Sequence, residues 1–170
     1  RYVVTEVRFL LNRIEPAKRR YPELAKSLAE LPHPPTLSDV RNAVLTLRRS
    51  KSMVLESDDP NSRSCGSFYL NPIVSRERAD ALERALSVET MPRFPQPDGN
   101  VKLSAAWLIE RSGLRKGQTH GNVGISTKHA LALVCHDGAS SAELLAFSRH
   151  VQEVVRSRTG IELCPEPQFL

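Results

Sequence analysis

"ALALVCHDGASSAELLAFSRHVQEVVRSRTGIELC", residues 130–164, is the stretch on which the fold class turns. The apolar run at 130–135 predicts a short buried strand. Past the turn at Asp137 and Gly138, Leu144, Phe147, Val151, Val154 and Val155 recur at helical spacing, which predicts the longest helix of the chain, ended by Gly160. "IELC" at 161–164 then predicts a last strand. Strand, long helix and strand in one span predict a mixed α/β domain of the α+β kind, with helices packed on a small, largely antiparallel sheet.

The flanking sequence adds smaller pieces. Residues 2–11 alternate, with Val3, Thr5, Val7, Phe9 and Leu11 on one face, and predict a strand. "ELAKSLAEL" at 23–31 is a short apolar-periodic segment. "LPHPP" at 31–35 is a stiff linker that places a domain boundary between 1–31 and 32–170. Thr36 and Asp39 predict a capped helix start, Val40, Ala43, Val44 and Leu47 give its stripe, and Lys51 closes its basic end. "ESDDPNSRS" at 56–64 reads as a loop and "GSFYLNP" at 66–72 as a strand, with Gly66 in its entry turn and Pro72 closing its exit. Ser75 predicts the cap of a helix carrying Ala79, Leu82 and Leu86. "DGNVKLSAAWLIERSG" at 98–113 reads as a helix ending at Gly113, and the glycine-rich 117–124 as a turn that matches no phosphate-cradling pattern.

Composition narrows the function classes. With 170 residues, 40% hydrophobic and 25% charged, the chain has the balance of an ordinary globular domain. Its clearest apolar run is too short to cross a bilayer, and no leader-like series opens the chain, so neither a membrane partner nor a secretory signal is expected. Three cysteines without a CxxC pair suggest reduced thiols and a cytoplasmic setting, and five scattered histidines show no metal-ligand spacing. The net charge of +5 favours anionic partners. "KRR" at 18–20 and "RRSK" at 48–51 carry much of it, but they lack the interleaved aromatics of a nucleic-acid binder, and no nucleic-acid partner is expected.

Four motifs, "GSFYLNP", "FPQPDGNVKLSAAWLIERSG", "GISTKHALALV" and "LCPEP", follow one another in this order. Together they resemble the carboxy-terminal half of the UDP-N-acetylenolpyruvoylglucosamine reductases, flavoenzymes of peptidoglycan synthesis. The resemblance covers nearly the whole chain. It implies that residues 1–31 are the tail of a flavin-binding region with its connecting segment, and that 32–170 form a substrate-binding domain. It also implies that the FAD-binding region and a catalytic arginine in a Tyr-Arg-Asp stretch lie before Arg1. The chain is therefore expected to be a fragment of the enzyme, inactive alone. The implied cofactor is FAD, the reductant NADPH, and the substrate UDP-N-acetylglucosamine enolpyruvate, reduced to UDP-N-acetylmuramate.

Site residues carry over position by position. Ser67 matches the family's proton donor, with Gly66 giving the substrate room. Glu166, in "PEP", matches its second catalytic residue; an ionised carboxylate beside a negative intermediate needs protonation or a cation partner. Lys51 resembles a lysine meeting the nucleotide diphosphate, and Asn71 an asparagine near the same ligand. Tyr21 resembles a tyrosine that closes over the substrate in one subtype. His129, with Lys128, lies at a substrate-contact region, core packing being its alternative. Phe94 stands where relatives often carry tyrosine, and Trp107 reads as core. A free-standing UDP-sugar-binding module without chemistry is the second reading.

Overall fold

The computed structural model describes residues 4–10 and 21–169. The chain packs as two compact units, Arg1–Leu47 and Arg48–Leu170.

In the first unit, α1 (Pro22–Ala29) starts with proline in its first turn and buries Leu24 and Leu28. The next helix, α2 (Leu37–Arg49), has the expected start: the Thr36 N–H donates to Asp39 Oδ2 (2.8 Å) and the Asp39 N–H to Thr36 Oγ1 (3.2 Å). The strand expected over 2–11 is not formed in its described part, 4–10, where Phe9 is 80% exposed and Arg8 pairs only with Glu6. Alternation makes a strand only beside a partner ladder, and no described segment pairs with this one. Val3 and Leu11, and "KRR" at 18–20, lie outside the described residues.

The second unit holds β1 (Ile73–Val74), α3 (Arg76–Ala85), β2 (Arg93–Pro95), β3 (Val101–Leu103), α4 (Ala105–Arg111), β4 (Thr119–His120), β5 (Val123–Ile125), β6 (Leu133–Cys135) and α5 (Ser141–Thr159). The strands are antiparallel, as expected, but form two three-stranded sheets, ordered β1-β3-β2 and β4-β5-β6. Residues 98–113 are not one helix. Asp98 and Gly99 turn a hairpin, with the Gln96 N–H donating to the Asn100 carbonyl (2.9 Å), and β3 follows with Val101 and Leu103 inward. Only then does Ser104 cap α4, its Oγ accepting from the Trp107 N–H (3.3 Å). The glycine-rich 117–124 is likewise a hairpin, β4 to β5.

α5 has a full capping box between Ser140 and Glu143, and Gly160 closes it in the left-handed region at φ 68°. Phe147, Val151 and Val155 from α5 pack with Leu108, Ile109, Leu103, Val123 and Ile125 in one core. Each such side chain contributes about 1.5–3 kcal/mol on burial. "IELC" joins that core through Ile161 and Leu163 without forming a regular strand. Trp107 packs at the edge of the core under the Arg111 guanidinium.

Gly124 has a role the sequence does not announce. A Cβ there would stand 2.6 Å from the Gln118 carbonyl oxygen, a backbone atom that cannot swing away. Gly124→Ala should destabilise the protein by about 1–3 kcal/mol, read as a lowered urea midpoint at unchanged m-value; wild-type stability would refute the close approach.

Candidate active site

Residues 63–72 do not run as one strand; they change partners midway. Ser67 bridges Ala132, and Tyr69 bridges Pro165. The Phe68 N–H donates to the Leu131 carbonyl (2.8 Å), while the Phe68 carbonyl accepts from the Glu166 N–H (2.9 Å). Phe68 and Tyr69 are both buried although they are consecutive, which a straight one-sided strand does not allow. Continuing the Ser67–Ala132 register would bring the Cys135 N–H to the Ser64 carbonyl. It donates instead to Arg63 (3.0 Å), so one extra residue is accommodated before Ser67. Gly66, at φ 83°, takes the left-handed conformation this bulge requires.

The partner switch brings two expected residues together. Ser67 and Glu166 line two adjoining grooves, one of about 450 Å³ with Asn71, Ile73 and Lys102, the other of about 410 Å³ with Arg48, Met53 and Cys65. Among the described residues neither the Ser67 hydroxyl nor the Glu166 carboxylate is hydrogen-bonded. Glu166 is exposed and close enough to Cys65 that, after partial burial, its charge helps push that thiol up. Below this surface the Tyr69 hydroxyl donates to the Ser148 carbonyl (2.7 Å), fixing the segment to α5. Asn71 commits its Oδ1 to the Ala105 N–H (2.9 Å) at the start of α4, which leaves its amide NH2 as the donor towards the groove.

Lys51 also belongs to the second unit. The Met53 N–H donates to the Arg48 carbonyl (2.8 Å) and the Ser52 N–H to Arg49 (2.9 Å), the double closure of a helix C-terminus. Lys51 is its half-buried cap residue, and Ser52 takes the left-handed position, φ 54°, that glycine usually fills. His129 is half-buried, with Nδ1 accepting from the Leu131 N–H (3.1 Å). Burial first, then the charges of Lys51 and Lys116, hold its pKa below the ordinary imidazole value, with Glu110 opposing. Lys51 and His129 are thus near one another, and Ser67, Glu166 and Asn71 line one groove. Tyr21 lies in the first unit, 76% exposed at the start of α1.

A polar knot missed by sequence reasoning ties the 56–64 loop to the 124–134 segment. Asn61, 7% exposed, accepts at Oδ1 from the Thr127 N–H (2.8 Å) and the Ser126 hydroxyl (3.1 Å), and its Nδ2 donates to Asp59 (3.1 Å). Lys128 Nζ reaches Asp59 Oδ2 at 3.3 Å, so the lysine flagged for ligand contact is engaged in the fold. The Ser52 hydroxyl, then the Asn61 N–H, hold the Asp59 carboxyl far below the usual carboxylate range. A groove of about 760 Å³ lies along this loop and not at Ser67. The signal was "DDPN", an Asp–Pro–Asn turn inside a stretch that composition alone marks as loop.

The family model described as UDP-N-acetylenolpyruvoylglucosamine reductase, C-terminal domain, matches residues 58–170. The chain belongs to this reductase family. A UDP-N-acetylenolpyruvoylglucosamine reductase of Thermobifida fusca is 49% identical, covering 100% of this chain and 50% of its own length. UDP-N-acetylenolpyruvoylglucosamine reductase 2 of Corynebacterium glutamicum is 44% identical over 91% of this chain and 44% of its own length. The Saccharopolyspora erythraea reductase is 43% identical over 97% and 48%. The chain spans about half the length of these curated relatives.

Membership in the reductase family raises the question of a flavin. The one glycine-rich segment is not a cradle for it: the Gly117 N–H donates to Ile125 (3.0 Å) and the Gln118 N–H to Arg115 (3.1 Å), inside the hairpin. The N–H groups at 117 and 118 are thus committed within the fold and not offered to a phosphate. No group of three or more metal-ligating side chains occurs among the described residues, and none of their helices is long and apolar enough to cross a membrane.

The knot gives two expectations. Asn61→Ala strands the Thr127 N–H and should cost about 1–3 kcal/mol, measured by urea unfolding. Asp59 contributes stability that is present above its ordinary value of 3.8 and lost as the pH falls below it. Asp59→Asn should therefore flatten the loss of stability between neutral pH and about pH 3; an unchanged acid limb would show the carboxylate is not the linked group.

Proposed function

We propose that this chain is the substrate-binding part of a flavin-dependent reductase that converts UDP-N-acetylglucosamine enolpyruvate to UDP-N-acetylmuramate. The observation that carries the reading is the meeting of Ser67 and Glu166, distant in sequence, on two adjoining grooves with their polar groups unengaged by the described residues. Family membership supports the reaction class. In this reading residues 1–31 are the tail of the flavin-binding region and 32–170 the substrate-binding domain.

The chain's own residues handle a proton. Reduction of an enol ether beside a carboxylate leaves carbanion or enolate character at the carbon bearing that carboxylate. Such a carbon is more basic than an alkoxide, so the Ser67 O–H transfers its proton to it, and the serine recovers a proton from water in the open groove. The bulge at Gly66 and the bonds of Phe68 to both neighbours hold that hydroxyl in place. Glu166 borders the same volume and orients the developing enolate when protonated or paired with a cation. Lys51, Asn71, His129 and Tyr21 bind the UDP-sugar. NADPH is the reductant and FAD the hydride carrier, both assigned to the longer protein.

In the full-length enzyme, Ser67→Ala should leave flavin reduction by NADPH nearly intact and slow reoxidation by the enolpyruvyl sugar by about 10²–10⁴-fold. Stopped-flow flavin absorbance separates the two half-reactions; equal slowing of both, or unchanged reoxidation, removes Ser67 as donor. This chain alone should retain no FAD through gel filtration; a stoichiometric yellow protein would refute the assignment of the cofactor to the rest of the enzyme.

A further inference from the structure

Ser67 is held by little regular structure. Its pairing with Ala132 is an isolated bridge, with the bulge before it and the change of partner after it. The bulge contains Gly66, a residue whose backbone adopts many conformations at similar cost. Moving the extra residue one position along would turn the Ser67 side chain to the opposite face of its segment. Phe68 fixes the chain after Ser67, through its bonds to Leu131 and Glu166. The chain before Ser67 needs an anchor of its own.

Asn61 supplies one from inside the fold. It is buried although it lies in a loop, and a buried amide is costly unless its groups find partners. Its Oδ1 accepts from the Thr127 N–H (2.8 Å), the Ser126 hydroxyl (3.1 Å) and the Thr127 hydroxyl (3.2 Å). Its Nδ2 donates to Asp59 Oδ1 (3.1 Å), so a flipped amide would set donor against donor and oxygen against carboxylate. The fully buried Ser126 donates its N–H to the Ala132 carbonyl (2.9 Å), and Ala132 is the residue that bridges Ser67. A ring is thereby closed: the Asn61 side chain, Ser126, Ala132, Ser67, and the main chain back to Asn61. One side chain ties the segment carrying Ser67 to the end of the β5–β6 hairpin that faces it.

We propose that Asn61 is a positioning residue for the proton donor, fixing the bulge in the register that sets Ser67 beside Glu166. The inference rests on the function proposed above, in which Ser67 gives up the proton. Asn61 lines neither of the grooves that Ser67 borders, so it acts on the reaction through Ser67 and not on the substrate.

The test uses the full-length enzyme, with flavin content checked and each variant kept well below its thermal midpoint. In Asn61→Ala, flavin reoxidation by saturating enolpyruvyl sugar should slow about 10–10²-fold. Flavin reduction by NADPH and the half-saturating substrate concentration should stay within about twofold of wild type. Asn61→Asp, which keeps the acceptor oxygen, should recover most of the rate. The deciding measurement is the double variant: with Ser67→Ala already present, Asn61→Ala should slow reoxidation by no more than about twofold further. A loss that multiplies in full on that background would show Asn61 acting by another route and overturn the proposal. So would unchanged reoxidation in Asn61→Ala, a loss confined to half-saturation, or an aspartate variant as slow as alanine. If Asn61→Ala does not fold, Asn61→Ser decides, its hydroxyl being too short to reach the Thr127 N–H; wild-type reoxidation there overturns the proposal. Should Ser67→Ala alone leave reoxidation unchanged, the proposed donor itself falls, a result distinct from a full Ser67 effect with none at Asn61.

Discussion

Phe68 has to satisfy two neighbours at once, and much of the site follows from that. Its N–H goes to the 131–132 segment and its carbonyl takes the N–H of Glu166, so the two segments are held on either side of one residue. The ring is 1% exposed and meets Tyr69 edge to face at 5.1 Å, so the crossing cannot rotate without opening the core. Ser67, one residue before, is half-buried at the junction of the two grooves, and Glu166 arrives there because its own backbone closes the second side. Both side chains thus stand on a framework of main-chain bonds, where small shifts are costly.

A second constraint acts on the loop that precedes the crossing. A helix that ends with serine in the left-handed region carries backbone strain of order 1 kcal/mol relative to glycine. Here the serine side chain lies beside Asp59, and Asp59 in turn joins Asn61 and Lys128. The knot fixes the loop from both ends and so determines where the chain enters the bulge before Gly66.

Much of the fold was legible in the sequence. The caps at Thr36 and Ser75 and the stop at Gly160 appear where short polar residues and glycine predict them, because those signals are local. What failed was pairing. The alternation in 4–10 has no described partner strand, Val101–Leu103 does not stand out from the helical residues after it, and "GSFYLNP" carries no mark of its change of partner. Strand identity depends on a neighbour far away in sequence, which no window of residues contains. For the site, Ser67 and Glu166 were legible only through motif resemblance; nothing in either segment alone says they share a groove. The knot was hidden because Asp, Asn and Ser serve turns and buried networks alike.

The hydroxyl of Tyr69 bears on the alkaline limit of the protein. Burial pushes its pKa well above the ordinary phenol value, because a phenolate has no place in that core. The unfolded chain would release the proton near pH 10, so the stability tied to the neutral phenol is full below that pH and drains away as the pH rises beyond it. The same ring supports the crossing that carries Ser67. Base would therefore loosen that crossing from beneath, and ionisation of Tyr69, seen in the ultraviolet, would report the collapse.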